Sequence, residues 1–244
     1  MLVAKDANGT RWQGRYAERG FTYFCPGCGL EVTLKKGAQV IHHFAHKPGA
    51  RCDFATGETV RHMEMKEAIA DGLGDCAELE VPVLGRRRAD VLVKGGDVPV
   101  VVECQHSPLS VEEVERREFD YNQIGPMVWV LDSSLFFKHY RPKQDFEKAQ
   151  GRVSAIVKTI AGRDAPIYFL YEQSLYECWF STYDDHVTDE WGSRTVTRYV
   201  AESVERIYDP WTLEESEDGD FRFFERPQSN GHLAPIANAQ YRLL

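Results

Sequence analysis

RRADVLV at residues 87–93 and VVVECQ at residues 100–105 are the two stretches that decide how this chain is expected to fold. Both are short apolar runs rich in valine, which predicts two buried β-strands. The first delivers one carboxylate, Asp90, and the second delivers another, Glu103. Because side chains alternate along a strand, Glu103 and Gln105 share one face, while the residue between them points the other way. Two acids and an amide can therefore converge.

Converging carboxylates of this kind suit a hard divalent cation. Mg²⁺ and Mn²⁺ prefer carboxylate oxygens, keep open positions for water, and activate that water for attack on a phosphodiester. The motif predicts metal-dependent phosphodiester hydrolysis, with Gln105 steering the attacking water. A purely structural explanation stands beside this one, because charged residues also flank buried strands where those strands reach the surface, and a short motif recurs by chance.

The residues around these strands predict the order helix, three strands, helix, strand. Residues 58–73 carry apolar side chains at three- and four-residue spacing, which is typical of an amphipathic helix. Short connections predict that the next strands form an antiparallel meander, over residues 78–83, 89–93 and 99–104. Ser110 and Glu113 form a capping box that begins a helix ending near Ile124. An apolar run over residues 127–131 predicts the last strand.

A second group of reactive side chains lies in the first 55 residues, which predict short strands separated by turns. The turn from Cys25 to Cys28 contains Pro-Gly and offers two thiolates from one tight loop. Further donors follow within a few residues. Zinc takes four thiolate or imidazole ligands in a structural site, and we expect four of five residues to bind it: Cys25, Cys28, His43, His46 and Cys52. The alternative is a hairpin turn with buried thiols and surface histidines.

Composition limits the class of protein. The net charge of −9 argues against a protein that coats nucleic acid, but residues 1–66 hold ten Lys/Arg against six Asp/Glu, so the front of the chain is basic. No apolar run is long enough to cross a bilayer, and charged residues occupy the place of a signal peptide's apolar segment. Six cysteines without a disulfide-like pattern fit a reducing compartment. We expect a cytoplasmic protein that does not associate with membranes.

In this combination and order, the motifs resemble the competence protein CoiA-like family of the PD-(D/E)XK nuclease superfamily. The resemblance covers residues 20–132. It rests on the CPGC turn, the HFAH string, Glu58 with His62 and Lys66, the RRAD strand, ECQHS, and Arg117 with Tyr121. It implies an α/β, restriction-endonuclease-like αβββαβ core at residues 56–135. We expect a zinc-ribbon-like β module before it, at residues 1–55, and an α+β extension after it, at residues 136–244.

The resemblance also implies roles for individual residues. In related nucleases a histidine on the first helix helps hold the catalytic ion, and His62 matches that place. One or two Mg²⁺ or Mn²⁺ ions would then be held by Asp90, Glu103, the backbone carbonyl of Cys104, and His62. A polar residue four positions before a tyrosine contacts the site or the strand in those nucleases. Arg117 and Tyr121 match this pair and lie one turn apart on the same helix face.

One position departs from the family pattern, because Gln105 stands where the family has a lysine. Glutamine can orient water or phosphate but carries no charge. Lys66 or Arg88 would supply positive charge near the scissile phosphate, and we expect Arg88 to contact nucleic acid together with Arg117 and Tyr121. The expected catalytic residues are Asp90, Glu103, Gln105, His62 and Lys66. The same departure leaves open a fold that does not cleave.

The sequence is therefore compatible with three classes of function. The first is a Mg²⁺- or Mn²⁺-dependent nuclease, with DNA favoured as substrate, in recombination, repair, uptake or defence. The second is a non-catalytic, zinc-containing DNA-binding module that recruits recombination or defence partners. The third is a structural protein with no role on nucleic acid. Fold analogy does not choose among pathways.

The part of the chain after residue 135 is less informative. Residues 143–160 predict a helix, and residues 167–171 and 175–180 predict two strands. This region is rich in aromatic residues, which either stack on unpaired bases or pack in a core. The tryptophans concerned are Trp179, Trp191 and Trp211.

Overall fold

The computed structural model describes residues 1–52, 58–85, 87–133, 157, 167–171, 174–189, 192–207, 211–215, 221–225, 228–229 and 232–233. The chain divides into two compact units. The described residues of unit 1 lie within 1–104 and 120–127, and those of unit 2 lie within 105–119 and 128–237.

Unit 1 begins with a five-stranded antiparallel sheet in the order β2-β1-β3-β4-β5. Its strands are β1 (Val3–Lys5), β2 (Arg11–Gln13), β3 (Tyr23–Phe24), β4 (Glu31–Lys35) and β5 (His43–His46). The Asp6 carboxylate closes the turn between β1 and β2 by accepting from the amides of Asn8 and Thr10. Tyr23 and Phe44 pack at the centre, with ring centroids 5.0 Å apart. The expected short strands separated by turns are confirmed, and we call this sheet the N-terminal β module.

Helix α1 (Val60–Leu73) follows the module. Thr59 caps its first turn, since the threonine side chain accepts from the amide of His62 at 3.2 Å. Gly74 ends the helix at φ +70°, a conformation that glycine adopts without steric cost. The following elements are β6 (Ala77–Val83), β7 (Arg87–Val93), β8 (Val100–Gln105), α2 (Val111–Tyr121) and β9 (Met127–Asp132). The predicted order of helix, three strands, helix and strand is confirmed.

The three strands after α1 form the expected antiparallel meander. Strand β6 pairs with β7, with Leu79 opposite Val91, and β7 pairs with β8, with Val91 opposite Val102. This register makes β7 the central strand of the three. Asp90 is therefore carried by a strand with neighbours on both sides, and helix α1 packs against β6 and β7.

Helix α2 begins where the sequence predicts but ends about one turn before the predicted end near Ile124. The Ser110 hydroxyl accepts from the amide of Glu113 at 3.2 Å, so the predicted cap forms. The helix ends at Tyr121 and not near Ile124, because the amides of Ile124 and Gly125 both donate to the Tyr121 carbonyl and turn the chain. A side chain at Gly125 would collide with the backbone oxygen of Pro99, so this turn requires glycine.

Unit 2 consists mainly of strands. Strand β9 runs parallel to β10 (Ile167–Tyr171), which pairs antiparallel with β11 (Ser174–Asp189), and β11 pairs antiparallel with β12 (Gly192–Ile207). Two short hairpins follow, formed by β13 (Trp211–Glu215) with β14 (Phe221–Glu225) and by β15 (Gln228–Ser229) with β16 (His232–Leu233). The two predicted strands are confirmed, although the second extends to Asp189. The helix predicted over residues 143–160 lies outside the described residues, apart from position 157.

The aromatic residues of unit 2 contribute to its interior where they are described. Tyr168 is fully buried and packs edge-on against Phe223, with ring centroids 4.9 Å apart. Trp179 is half-buried, and the guanidinium of Arg222 lies 4.7 Å from its ring centroid. Neither helix in the described part of the chain has the length and apolarity that a membrane crossing requires.

Candidate metal centres

His62 lies at the centre of a cluster of charged side chains in unit 1. Its Nε2 is 3.0 Å from Asp90 Oδ2 and 2.7 Å from the backbone oxygen of Cys104, and its Nδ1 is 3.2 Å from Glu58 Oε1. Helix α1 projects the imidazole toward strands β7 and β8, because the Thr59 cap fixes the first turn of that helix. The histidine thus joins two carboxylates and one carbonyl.

The charge of His62 follows from these neighbours. Burial acts to lower its pKa, but the negative charge of Asp90 and the hydrogen bonds to Asp90 and Glu58 raise the pKa to about 10. The pKa of Asp90 is lowered in turn, since the charge and hydrogen bond of His62 outweigh the effect of burial. At neutral pH an imidazolium therefore faces ionised carboxylates.

Lys66 follows His62 by one helical turn and is completely buried. Its Nζ forms ion pairs with Glu58 and Glu80 and lies 3.7 Å from Asp90 Oδ1. Burial acts to lower the pKa of Lys66, but the three carboxylates raise it above its ordinary value. Lys66 is a buried counter-ion for these acids, and its expected role beside the scissile phosphate stays a prediction.

Glu80 is a member of this cluster that sequence reasoning missed. Its carboxylate is fully buried, and Oε2 accepts hydrogen bonds from the amides of Leu2 at 2.8 Å and Val3 at 3.0 Å. The pattern Glu78-Leu79-Glu80-Val81 alternates polar and apolar residues and so predicts that Glu80 faces solvent. The position of Lys66 beside the apolar stripe of α1 was one signal of a buried acid. A lysine that is buried there requires a carboxylate partner, and Glu80 is such a partner.

The two acids of the strand motif lie in the interior. Asp90 and Glu103 are each 4% exposed. Asp90 directly precedes Val91 and Glu103 directly follows Val102, and these two valines are partners across β7 and β8, so both acids lie at the same end of that pair. Asp90 Oδ2 also accepts from the amide of Cys104 at 3.0 Å. Among the described residues, Glu58, His62 and Asp90 each offer a possible metal-ligand atom, two carboxylate oxygens and one imidazole nitrogen, within 4.8 Å of one another. Glu103 is not in that group, so its role as a metal ligand stays a prediction.

Cys104 contributes its backbone rather than its thiol. The side chain is fully buried, and burial together with the charges of Asp90 and Glu103 raises the pKa of the thiol well above its ordinary value. The thiol is thus neutral at physiological pH. Its carbonyl, by contrast, accepts from His62, and its expected role as a ligand of the catalytic ion stays a prediction.

The remaining predicted residues divide between the units. In unit 2, Gln105 Nε2 donates to the backbone oxygen and the hydroxyl of Ser107, and Gln105 Oε1 accepts from Arg117 Nη1 at 3.5 Å. In unit 1, the guanidinium of Arg88 lies 3.8 Å from both Glu58 and Glu80. The Tyr121 ring is 2% exposed and its hydroxyl donates to the Arg88 carbonyl. Tyr121 is part of the core, and its contact with nucleic acid stays a prediction.

A second cluster lies in the N-terminal β module. Ligand atoms of Cys25, Cys28, His46 and Cys52 all lie within 4.8 Å of one another. The sulfurs of Cys25 and Cys52 are 3.8 Å apart, and Cys28 Sγ is 3.3 Å from His46 Nε2. Three thiols and one imidazole form a donor set that suits tetrahedral zinc. The structure thus selects four of the five predicted residues.

His43 is the predicted donor that stays outside the zinc-capable group. Its Nδ1 lies 2.8 Å from the carbonyl of Ile41. His43 and His46 are three residues apart on β5, so their side chains leave opposite faces of the strand. Only one of the two histidines can therefore reach the cysteines. The alternation of side chains along a strand predicts this from the sequence once residues 43–46 are assigned to a strand.

The fold and these two clusters define a chain with a zinc-capable β module followed by an α/β domain that carries a buried acidic cluster. Comparison with known families agrees. The family described as competence protein CoiA, N-terminal domain, matches residues 10–55, and the family described as competence protein CoiA, nuclease-like domain, matches residues 58–181. The chain belongs to the CoiA family. The resemblance stated from the motifs is confirmed, and the nuclease-like match extends beyond residue 135.

A curated relative gives the same result over a shorter span. The competence protein CoiA of Bacillus subtilis (strain 168) is 28% identical over 120 residues, which cover 46% of this chain and 32% of that protein. The match thus spans about one third of the relative's length. No solved structure gives a significant match to the chain.

Proposed function

We propose that this chain is a Mg²⁺- or Mn²⁺-dependent nuclease with a PD-(D/E)XK core, and that DNA is its substrate. The observation that carries the proposal is the convergence of Glu58, His62, Asp90 and the Cys104 carbonyl at one place in a nuclease-like domain. Carboxylate and carbonyl oxygens are the donors that such cations prefer, and the resemblance to related nucleases adds the His62 imidazole as a further ligand. The residues present therefore fit a catalytic divalent ion.

The residues of the chain would divide the work as follows. Asp90, Glu58 and the Cys104 carbonyl would hold the ion, with Glu103 as the further carboxylate expected from the strand motif, and the bound ion would supply activated water and stabilise charge on the phosphate. His62 would bind the ion as a neutral imidazole, so it would release one ring proton to solvent. Lys66 helps to keep the surrounding carboxylates ionised, because His62 first and Lys66 next lower the pKa of Glu58 and Asp90 against the effect of burial.

Gln105 and Arg117 together would replace the lysine of the family pattern. The glutamine amide is held by Ser107, and Arg117 Nη1 lies 3.5 Å from its Oε1. A fixed amide can orient the attacking water, and the guanidinium adds the positive charge that glutamine lacks. The two cations named from the sequence, Lys66 and Arg88, both face buried carboxylates instead. Arg117 Nε also pairs with Glu113 at 2.9 Å, with about a quarter of the arginine side chain exposed, and its contact with a phosphate belongs to this proposal.

Cleavage of supercoiled plasmid and of labelled single strands, with Mg²⁺ or Mn²⁺ added, tests this proposal. Asp90→Asn removes one charge from the metal centre and keeps the shape of the side chain. We expect it to reduce the rate by more than the ~100-fold that loss of an outer partner of a metal ligand causes. Asp97→Asn is the matched control, since Asp97 is exposed in the loop after the same strand. Equal activity of the two variants would refute the assignment.

A second candidate is a zinc-containing DNA-binding module that does not cleave. It is favoured by the basic front of the chain, where residues 1–66 carry a net charge of +4, and by exposed Tyr16 and Phe21 in the same module. A gel shift that needs no added divalent cation, without any cleavage, would support it. Recombination or defence proteins as partners belong to this proposal, as does a cytoplasmic location, which the free cysteines of the described residues favour.

A further inference from the structure

We propose that Glu80 and Lys66 form a positioning pair that couples the N-terminal β module to the metal centre. This inference rests on the proposed function, because it concerns the geometry of the same acidic site. Glu80 touches none of the reacting groups in this scheme and is a positioning residue. Its role is to hold Lys66, and through Lys66 the carboxylates of Glu58 and Asp90, in a fixed place.

The carboxylate of Glu80 faces two parts of the fold at once. Oε2 accepts from the amides of Leu2 at 2.8 Å and Val3 at 3.0 Å, and these amides lie at the start of β1 in the module. Oε1 pairs with the ammonium of Lys66 on helix α1. One buried side chain therefore links the backbone of the module to the helix that carries His62.

Lys66 extends the link to the metal centre. Its ammonium also pairs with Glu58 and lies 3.7 Å from Asp90 Oδ1, and both acids belong to the group of metal-capable ligands. Two carboxylates this close repel each other unless a cation lies between them. Lys66 offsets that repulsion, so the spacing of the two acids depends on where the ammonium is held.

The module also fixes the main chain of Glu80. This residue adopts φ +53°, in the left-handed region that side-chain-bearing residues rarely occupy. The guanidinium of Arg11, on β2, donates to the carbonyls of Leu79 at 2.5 Å and Glu80 at 3.2 Å. A strained conformation persists only where its surroundings determine it. Here those surroundings are two strands of the N-terminal β module.

The contacts of Glu80 have a consequence for metal binding. Metal affinity at Glu58 and Asp90 depends on contacts made by strands β1 and β2, whose residues bind no catalytic ion. Coupling between two sites is reciprocal in free energy. Filling the metal centre must therefore also tighten the hydrogen bonds from Leu2 and Val3 to Glu80.

The test measures Mn²⁺ binding to the full chain by calorimetry. Glu80→Gln removes the charge but keeps the shape, and we expect it to weaken Mn²⁺ binding by about tenfold, within the range typical of coupled sites. Glu78→Gln is the matched control. Glu78 lies two residues earlier on the same strand and pairs with Lys94 at 2.7 Å, with 45% of its side chain exposed. We expect its Mn²⁺ affinity to stay within about twofold of the unmodified protein.

A second measurement needs no variant. Mn²⁺ should slow hydrogen exchange of the Leu2 and Val3 amides in the unmodified protein by at least about fivefold, the lower end for coupled sites. A purely structural role for Glu80 would leave these amides unaffected by Mn²⁺. If the unmodified protein binds Mn²⁺ but exchange does not slow, or Glu80→Gln binds as tightly, the inference is overturned and the proposed function stands. No Mn²⁺ binding at all would overturn both.

Discussion

Replacement of Lys66 by methionine should destabilise the protein strongly. The substitution keeps an unbranched side chain of similar length in a completely buried position and removes only the ammonium. It leaves Glu58, Glu80 and Asp90 close together without the cation that faces all three. Removing one partner of a buried ion pair costs about 3–5 kcal/mol. Arg88 and His62 still face these acids, but the cation nearest to Glu58 and Glu80 is lost.

This free energy converts into a measurable change in melting temperature. For a chain of about 150–250 residues, 1 kcal/mol lowers Tm by about 2–4 °C. Lys66→Met should therefore lower Tm by about 6–20 °C in thermal unfolding followed by circular dichroism at pH 7. The three carboxylates have lowered pKa values, so the stability that they contribute is present above their ordinary pKa and is lost as pH falls. The difference from the unmodified protein should therefore narrow only as pH falls below about 4.

Lys94→Met is the matched control for this experiment. Lys94 makes the same kind of pair with another glutamate of β6, Glu78, but the lysine side chain is 53% exposed. Exposed pairs contribute under about 1 kcal/mol, so this variant should melt within about 4 °C of the unmodified protein. Equal shifts for the two variants would show that the buried cluster does not depend on Lys66.

Three further results are expected. The pKa of His62 is raised to about 10, so its contribution to stability is full below pH 6.5 and is lost as pH rises through 10. Between these two pH values the free energy of unfolding in urea should fall by up to about 1.4 kcal/mol per pH unit. Cys28→Ser should reduce bound zinc, measured by elemental analysis, because it removes one of four donors. Gly125→Ala should cost about 1–3 kcal/mol in urea unfolding, since its Cβ would collide with the Pro99 carbonyl.

Each of these results has its control. The alkaline fall in stability should be absent in His62→Gln, and the same fall in that variant would contradict the role given to the imidazole. Cys76→Ser changes a cysteine outside the zinc-capable group and should retain full zinc; loss of zinc in both cysteine variants would count against the assigned ligands. Gly37→Ala places its Cβ where no atom lies within 4 Å, so an equal cost there would exclude a collision at Gly125.

Local sequence signals were sufficient for the elements of the fold but not for all of the site. Apolar periodicity and the Ser110 cap predicted the helices and strands in the correct order, because each signal is read within a few residues. Tight spacing likewise predicted the Cys25–Cys28 turn of the zinc-capable group. Glu80 was missed since its partners, Lys66 and the amides of β1, are 14 and 77–78 residues away. No local pattern carries that information.

The role of Glu58 shows the same limit. The sequence motif assigns no contact to Glu58, whereas in the structure its carboxylate faces the side chains of His62, Lys66 and Arg88. Its side chain is oriented by the first turn of α1 and by cations from both the helix and the strand. The early end of α2 has a different cause, because the close approach of Gly125 to Pro99 is a tertiary constraint that overrides helical periodicity.

The burial of Cys104 and the exposure of Cys28 give these two thiols different reactivity toward oxidants and alkylating agents. A neutral, inaccessible sulfur reacts with neither alkylating agents nor peroxide, because the thiolate is the reactive form. Cys28, in contrast, is exposed and has a lowered pKa, caused by hydrogen bonds that outweigh burial. Oxidants should therefore damage the N-terminal β module first. Iodoacetamide footprinting of the zinc-free protein, followed by mass spectrometry, should find Cys28 modified while Cys104 stays intact.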